Sequence, residues 1–547
     1  MYIDTSKIRN KSGKTYIRHL LRRCYRENGK IKHETVANLS HCAESEIHAM
    51  KLALRHKEDL TQVCCDKTQV ISKKSKSIGA VWLLLSVAKR LGIQKALGNS
   101  EQGKLALWQI FSRIIGQGSR LSSVRLAARH THEILKLQPF SEDDLYSNLD
   151  WLADNQAAIE DSLFKMLGKK AQLFLYDVTS SYFEGECNEL SAFGYNRDGK
   201  KGKLQIVIGL LCNEDGVPIS VEVFEGNTRD HKTLPEQIKK AAQRFGVEKV
   251  TFVGDRGMIK SAQIKELDEQ NFHYITAITK PQIQTLISND VIQLSLFDND
   301  LTEVIYDDIR YVLRRNPVRE TEIQKTRQEK FDALQRLVTN RNEYLKTHKR
   351  AKLQTALNAV TKYAAKLKIT KWIKFVTNET ALAVFRNEEV LEQESMLDGC
   401  YVIKTDLSQE VATKELVHNC YKDLALVEQA FRSSKTVQLD LRPIYVRLAS
   451  RTRGHVFVVM LAYRIIQELA KCWKQLDVTI DEGVAVLSEL CQVEILVNGK
   501  EFNQIPEPDE LAKKLLDLAN VTLPTILPKV TDNVTTKVKL ISRRKTL

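Results

Sequence analysis

Two short apolar runs, each followed directly by an aspartate, constrain the fold of this chain more than any other feature. The run AQLFLYD ends in Asp177, and the run KVTFVGD ends in Asp255. Nearly continuous apolar runs of this length predict strands that are buried on both faces of a sheet. If the two strands are parallel neighbours, both carboxylates emerge at the carboxyl edge of the sheet, where open α/β sheets place their functional sites.

The segments around these runs predict a mixed sheet. LQIVIGLLC and VPISVEVFEG flank the turn residues 213–216 and indicate a β-hairpin. Residues 233–245 and 260–271 have helical periodicity, HYITAI is typical of a further strand, and GCYVIKTD adds another at 399–406. The resulting order, a strand, a hairpin, a helix, a strand, a helix and a strand, favours an α/β class with helices packed on the sheet.

The stretch YKDLALVEQAFRSSK, residues Tyr421 to Lys435, predicts one amphipathic helix. Tyr421, Glu428 and Lys435 follow each other at seven-residue intervals, which is close to two helical turns, so we expect them to share one stripe. For the stretch taken alone, a solvated glutamate is the commoner interpretation. Two aspartates at strand ends, which need a third carboxylate, make Glu428 a candidate partner.

Three neighbouring carboxylates indicate a particular kind of chemistry. Like charges repel unless a cation lies between them. Mg²⁺ and similar hard cations take oxygen ligands, and a pair of such ions suits the in-line displacement of a phosphodiester. The acids therefore predict a metal-dependent reaction at phosphate.

The motifs around the acids resemble those of DDE transposases of bacterial insertion sequences. The resemblance is carried by YDVTS at Tyr176–Ser180, FEGNTRD at Phe224–Asp230, VGDRGM at Val253–Met258 and the helix Y-x2-L-x3-E-x6-K. It is closest to the group marked by a Tyr-x2-Arg-x3-Glu-x6-Lys signature. It covers residues 171–469 well and the N-terminal part more loosely.

This resemblance implies an RNase H-like catalytic core with an insertion before the last catalytic helix. It implies metal-dependent excision and reinsertion of the element's own double-stranded DNA by a homodimer or higher oligomer. Asp177, Asp255 and Glu428 would bind the metal, Mg²⁺ with Mn²⁺ as a substitute, as two ions. Tyr421 and Lys435 match signature positions that contact the DNA ends.

The signature arginine is replaced in this chain. Its position is occupied by Leu424, and Arg432 is the candidate substitute. Other basic residues beside the motifs are candidates for phosphate contacts, with ordinary solvated charge as the alternative: Lys200, Lys201, Lys203 and Arg256. Asp230 is the strongest competing acid, and we interpret it as structural or as a residue that supports the metal ligands from behind.

A chain of 547 residues is too long for one hydrophobic core. Glu27-Asn28-Gly29 between two strand-like runs predicts a β-hairpin, and Ser141 is a plausible helix N-cap. The predicted organisation has six parts: a basic β-hairpin module at 1–44, a helical DNA-binding region at 45–170, the first part of the core at 171–279, an insertion subdomain at 280–396, the second part of the core at 397–470, and a C-terminal helical region with a basic tail at 471–547.

The net charge of +15 favours a polyanionic partner, with nucleic acid first. Ten cysteines without a C-x-x-C pair indicate neither a zinc site nor a disulfide framework. No apolar run approaches the length of a membrane helix, so we expect a soluble protein of the bacterial cytoplasm that joins the nucleoid when it binds DNA. Two alternatives stay open: a metal-dependent nuclease without strand transfer, and a catalytically inactive DNA-binding regulator.

Overall fold

The computed structural model describes residues 1–9, 13–55, 57, 70–72, 75–167, 172–185, 187–298, 300–348, 350–435, 438–497 and 500–524. The chain divides into two compact units. The first comprises residues 1–79, 489–509 and 523–547, and the second comprises 80–488 and 510–522.

A three-stranded antiparallel ribbon opens the first unit. Its strands are β1 (Tyr2–Arg9), β2 (Thr15–Glu27) and β3 (Lys30–Asn38), in that order. Both Asn28 and Gly29 have positive φ, as the tight turn predicted between β2 and β3 requires. The sequence predicted the β2–β3 hairpin but not β1, which pairs with β2 along its whole length. One helix and two short strands follow: α1 (Glu44–Arg55), β4 (Val70–Ser72) and β5 (Lys76–Ser77).

Helices open the second unit. They are α2 (Gly79–Arg90), α3 (Ile93–Leu97), α4 (Glu101–Gly116), α5 (Arg120–Ala127) and α6 (Glu142–Met166). The Ser141 hydroxyl accepts from the Asp144 amide while the Asp144 carboxylate accepts from the Ser141 amide, so the predicted N-cap is confirmed as a capping box.

Eight strands of the described residues form one mixed sheet at the centre of the second unit. In chain order they are β6 (Leu173–Tyr182), β7 (Gln205–Asn213), β8 (Pro218–Glu225), β9 (Thr251–Gly254), β10 (His273–Ala277), β11 (Thr302–Tyr306), β12 (Ile309–Arg315) and, after the insertion, a strand at Cys400–Thr405. The spatial order is β11, β12, the Cys400–Thr405 strand, β10, β9, β6, β7, β8. The β6–β9 and β9–β10 pairs are parallel, and the other pairs are antiparallel. The predicted mixed α/β sheet is therefore confirmed.

One sequence expectation about this sheet is wrong. Asp177 does not end its strand, because β6 continues through Val178 and Thr179 to Tyr182. The β-branched residues after Asp177 extend the strand, and their backbone groups pair with β7 as far as Gln205. Asp255, in contrast, does follow β9 directly, as expected.

Helices cover both faces of the central strands. On one face, α7 (Leu234–Lys239) and α8 (Ser261–Glu269) bury a core with Phe174, Tyr176 and Phe252. The helices on the other face follow the last strand of the sheet along the chain. Short 3₁₀ or π turns lie at His132–Leu135, Asp230–Lys232, Lys240–Arg244, Leu294–Asp298 and Thr370–Trp372.

The insertion predicted at 280–396 consists of two structurally different parts. Its first part, with α9 (Lys280–Ser288), packs on the strands β11 and β12, which extend the main sheet. Its second part has a separate apolar core and contains α10 (Pro317–Thr347), α11 (Leu353–Leu367), β13 (Ile373–Thr377), β14 (Leu382–Arg386) and α12 (Glu388–Ser395). β15 (Cys400–Thr405) then returns the chain to the sheet.

The stretch Tyr421 to Lys435 is not one continuous helix, contrary to expectation. It is divided at Asp423 between α13 (Lys414–Lys422) and α14 (Leu424–Lys435). The Asp423 amide bonds the Asn419 carbonyl and the Asp423 carbonyl accepts from Leu426, so each side of the break keeps its own hydrogen bonds. α14 packs against β6 and against α15 (Ala449–Cys472), the apolar helix predicted near this position.

The C-terminal part is not purely helical, which corrects the prediction for 471–547. After α16 (Ile480–Glu489), the chain forms a hairpin from β16 (Cys491–Val497) and β17 (Lys500–Gln504). β16 also pairs with β4 and β5, a partnership between distant segments that local pattern does not reveal. α17 (Glu510–Leu518) lies where a helix was predicted, and the basic tail lies outside the described residues. None of the helices in the described ranges is long and apolar enough to cross a lipid bilayer.

Candidate active site at the sheet edge

The register of β6 and β9 makes Asp177 and Asp255 neighbours. Tyr176 is paired with Gly254 as the last matched position of the two parallel strands. The next residues are Asp177 and Asp255, so their backbones adjoin at the point where β9 ends. Because side chains alternate along a strand, Asp177 lies on the face opposite to Phe174 and Tyr176, which are buried in the core.

Glu428 belongs to the same electrostatic cluster. It is exposed on α14, the helix that packs against β6. Burial raises the pKa of Asp177 to about 7. The Val178 amide and the Arg197 charge lower this pKa, whereas the charges of Asp255 and Glu428 raise it further. The three predicted acids are thus close enough for the second and third to disfavour ionisation of the first.

Tyr421 contacts the second acid of this cluster. Its hydroxyl donates to Oδ1 of Asp255 at 3.3 Å, and the Arg256 amide donates to the same oxygen at 2.7 Å. Burial raises the pKa of Tyr421, and the adjacent Asp255 carboxylate raises it further. The hydroxyl is therefore a neutral donor that orients Asp255.

Lys435, predicted to contact DNA, is buried in the structure. Its side chain is 9% exposed and donates to Thr179 Oγ1 at 2.6 Å, to the Ser180 carbonyl and to Asp198 Oδ1 at 3.1 Å. Arg442 reaches the same Asp198 oxygen at 2.5 Å. The last turn of α14 lies on β6, and the ammonium there neutralises a carboxylate that is only 3% exposed. The contact of Lys435 with DNA stays a prediction.

The donor chemistry of the cluster fits a hard divalent cation, although the side chains do not form a finished metal cage. All three side chains offer carboxylate oxygens, and the charges of Asp255 and Glu428 raise the pKa of Asp177. In the part of the chain that the structure describes, no group of three or more His, Cys, Asp or Glu side chains is arranged so that it could hold a metal ion.

Comparison with known proteins decides the family. The family description "Transposase DDE domain" matches residues 168–465, which is more than half of the chain. The chain belongs to the DDE transposase family. A second description, "IS1634 family transposase, N-terminal domain", matches residues 3–67 of this transposase. The resemblance inferred from the motifs is confirmed, and with it the assignment to the enzymes of insertion-sequence transposition, which cleave DNA and transfer its strands.

Solved structures similar to this transposase include other transposases. A piggyBac transposase synaptic complex with hairpin DNA shares 9% identity over 85% of this chain and 86% of that chain, with a TM-score of 0.34. A Mos1 transposase paired-end complex with the left transposon end shares 14% identity over 27% of this chain and 52% of that chain, with a TM-score of 0.15. No curated protein matches the chain.

Two residues beside the acids of the transposase were not predicted as parts of the site. Arg197 lowers the pKa of Asp177 and forms an ion pair of 2.7 Å with Asp230, the competing acid. Asp198 forms the buried network with Lys435. Both lie in the segment between β6 and β7, and a run of basic residues after the strand of Asp177 is the local signal that pointed towards them.

The other predicted DNA contacts lie in three different segments of the chain. Arg256 and Arg432 are exposed, and Arg432 lies one turn after Glu428 on α14. Lys201 is exposed in the segment between β6 and β7, Lys200 lies over the Tyr182 ring at 5.9 Å, and Lys203 pairs with Glu184 at 2.7 Å. Leu424, at the signature arginine position, is the first residue of α14.

Proposed function

We propose that Asp177, Asp255 and Glu428 are the metal-binding catalytic acids of this transposase. The observation that carries the proposal is the adjacency of Asp177 and Asp255 at the end of β9, with Glu428 acting on the same carboxylate. The order of the central strands, β8-β7-β6-β9-β10 with only β7 antiparallel to its neighbours β6 and β8, supports an RNase H-like core.

Neighbouring residues and elements of the fold hold each of the three acids in position. Two bound Mg²⁺ ions, which Mn²⁺ can replace, would activate the attacking oxygen and stabilise the leaving oxygen. Asp177 lies on a strand that is paired on both sides. Asp255 is oriented by Tyr421 and the Arg256 amide. Glu428 projects from a helix that packs on β6. Rigid elements on both sides of the cluster thus fix the positions of the ligands.

The substrate in this proposal is double-stranded DNA with the terminal inverted repeats of the element, together with target DNA. The chain has a net charge of +15, and three exposed cations belong to it: Arg256 directly after Asp255, Arg432 one turn after Glu428, and Lys201 between β6 and β7. These cations suit phosphate contacts that hold the duplex in position. Because two ends must be joined in one reaction, the active form is a homodimer or a higher oligomer.

Metal dependence tests the proposal directly. Purified protein is incubated with a duplex that carries the element's own end and a labelled target duplex. We expect cleaved ends and strand-transfer products with Mg²⁺ or Mn²⁺, none with excess chelator, and recovery when the metal is restored. Equal cleavage in chelator would contradict the proposal. Cleaved ends without joined products would indicate the nuclease alternative, and binding without cleavage in any cation would indicate the regulator.

Removing the Tyr421 hydroxyl tests how Asp255 is oriented. We expect Tyr421→Phe to lower the single-turnover rate of end cleavage about tenfold, because one hydrogen bond to a charged acceptor is lost. The dissociation constant for end DNA should stay unchanged. The matched control is Tyr306→Phe, on the edge strand β11. If the dissociation constant rises while the rate at saturating DNA is unchanged, Tyr421 binds DNA instead of orienting the acid.

A further inference from the structure

His418 is a buried imidazole on α13, the short helix that also carries Tyr421. Its side chain is 3% exposed, and two side chains from the sheet converge on its Nε2 atom. The Arg314 guanidinium lies 3.0 Å from this nitrogen, and the Tyr401 hydroxyl lies 2.6 Å from it. A buried polar ring costs free energy unless its nitrogens are hydrogen-bonded, so these contacts define how α13 lies on the sheet.

The contact with Arg314 fixes the proton arrangement of the ring. A guanidinium only donates hydrogen bonds, so Nε2 of His418 accepts and carries no proton. Burial lowers the pKa of His418, and the charges of Arg314 and Lys422 lower it further, which keeps the ring neutral. Position 418 therefore supplies a hydrogen-bond acceptor at the place of Nε2.

The two partners of His418 lie at the edge of the sheet where the candidate acids meet. Arg314 on β12 is paired with Tyr401 on β15. Ala277, the last residue of β10, is paired with Ile403, so Tyr401 lies just beyond the end of β10. β9 and β10 run parallel, and Asp255 follows β9 at this same edge. His418 thus attaches α13 to the sheet beside Asp255.

The helix break at Asp423 makes this attachment important for Tyr421. Because α13 and α14 are separate helices, α14 does not hold Tyr421 through a continuous ladder of hydrogen bonds. Tyr421 lies three residues after His418 and is its neighbour on the surface of α13. A shift of α13 that breaks the contacts of His418 therefore also moves the Tyr421 hydroxyl, which lies 3.3 Å from Oδ1 of Asp255.

We propose that His418 is a positioning residue of the transposase, which holds α13 on β12 and β15 so that the Tyr421 hydroxyl orients Asp255. The inference rests on the proposed function, in which Asp255 is a metal ligand. Residues that orient a metal ligand from behind commonly change activity by about 10- to 100-fold. Since His418 acts through Tyr421, its loss cannot cost more than the roughly tenfold expected for Tyr421→Phe.

A fluorine probe tests the position of Tyr421 without catalysis. 3-Fluorotyrosine is placed at position 421 alone, and the ¹⁹F NMR spectrum of the metal-free protein is recorded, with Asp255→Asn as the reference for a lost contact. The amide oxygen of His418→Asn falls short of the place of Nε2, so we expect this signal to move towards that reference. His418→Gln brings its amide oxygen one methylene further and should keep the original signal.

Single-turnover cleavage then measures what this position contributes to the reaction. We expect His418→Asn to lower the rate at saturating end DNA about tenfold with an unchanged dissociation constant, and His418→Gln to retain about half of the rate. In a Tyr421→Phe background, His418→Asn should cause no further loss. Two independent effects would instead multiply to about a hundredfold loss.

His130→Asn is the matched control. His130 is 7% exposed, and its Nδ1 lies 3.1 Å from the Leu126 carbonyl, away from α13. The same change there should leave the fluorine signal and the rate unchanged.

Three results would overturn the proposal. They are an original fluorine signal in His418→Asn, a hundredfold loss in the double variant, and equal signals from the asparagine and glutamine variants, which would mean that the side chain only fills space. If the acids are assigned wrongly, Asp255→Asn cleaves normally, and the fluorine signals still decide whether His418 positions Tyr421.

Discussion

Changing Asp177, Asp255 or Glu428 to the corresponding amide is expected to lower the rate of end cleavage about a thousandfold or more. An amide keeps the shape of the carboxylate but loses the negative charge that a divalent cation needs from its ligand. Loss of one ligand removes several kcal/mol of transition-state stabilisation, and about 4 kcal/mol corresponds to this factor. The measurement is single-turnover cleavage of labelled end DNA in Mg²⁺ at saturating protein.

The competing acid Asp230 provides the control for this prediction. Asp230→Asn changes an acid in the same region, but this acid pairs with Arg197 at 2.7 Å and does not adjoin Asp255 in the strand register. We expect a loss of no more than about tenfold, through a less constrained Arg197. If Asp230→Asn is as inactive as Asp177→Asn while Glu428→Gln retains cleavage, the third ligand has been assigned to the wrong acid.

The central strands and the neighbouring aspartates were predictable because their signals are local. A continuous apolar run identifies a strand buried on both faces, and the residue that follows it lies at the edge of the sheet. Asp255 obeys this rule, whereas Asp177 lies within a strand that continues to Tyr182. The register still places the two acids together, because β9 is short and ends beside the middle of β6.

What the sequence did not reveal depends on contacts between distant residues. Lys435 has the spacing of an exposed stripe on one helix, and the break at Asp423 is too small to change the pattern. Its burial results from Asp198, more than two hundred positions earlier, which no local periodicity connects to α14. The pairing of β16 with β4 is of the same kind.

The network of Asp198, Lys435 and Arg442 gives the second large prediction, which concerns stability. Asp198→Asn removes the only carboxylate recorded within ion-pair distance of the Lys435 ammonium among the described residues. An uncompensated buried charge costs about 3 kcal/mol or more, so we expect the thermal midpoint to fall by about 5–10 °C. Lys435→Met in addition removes the unpaired charge, and the double variant should melt at a higher temperature than Asp198→Asn alone. Additive losses in the double variant would contradict a coupled pair.

The two roles that Lys435 can have, contact with DNA and anchoring of α14 on β6, predict different results for its substitution. A lysine that contacts a phosphate contributes about 0.9 to the slope of log binding constant against log salt, whereas a buried lysine contributes nothing. We therefore expect Lys435→Met to leave the salt dependence of end binding unchanged. At temperatures below the melting range, it should lower the cleavage rate about tenfold, because α14 and Glu428 lose their anchor on β6. Lys201→Met, which removes an exposed cation of the same charge, is the matched variant and should reduce the slope without lowering the rate at saturating DNA. A reduced slope for Lys435→Met with an unchanged cleavage rate would instead mean that the last turn of α14 opens and presents Lys435 to the DNA.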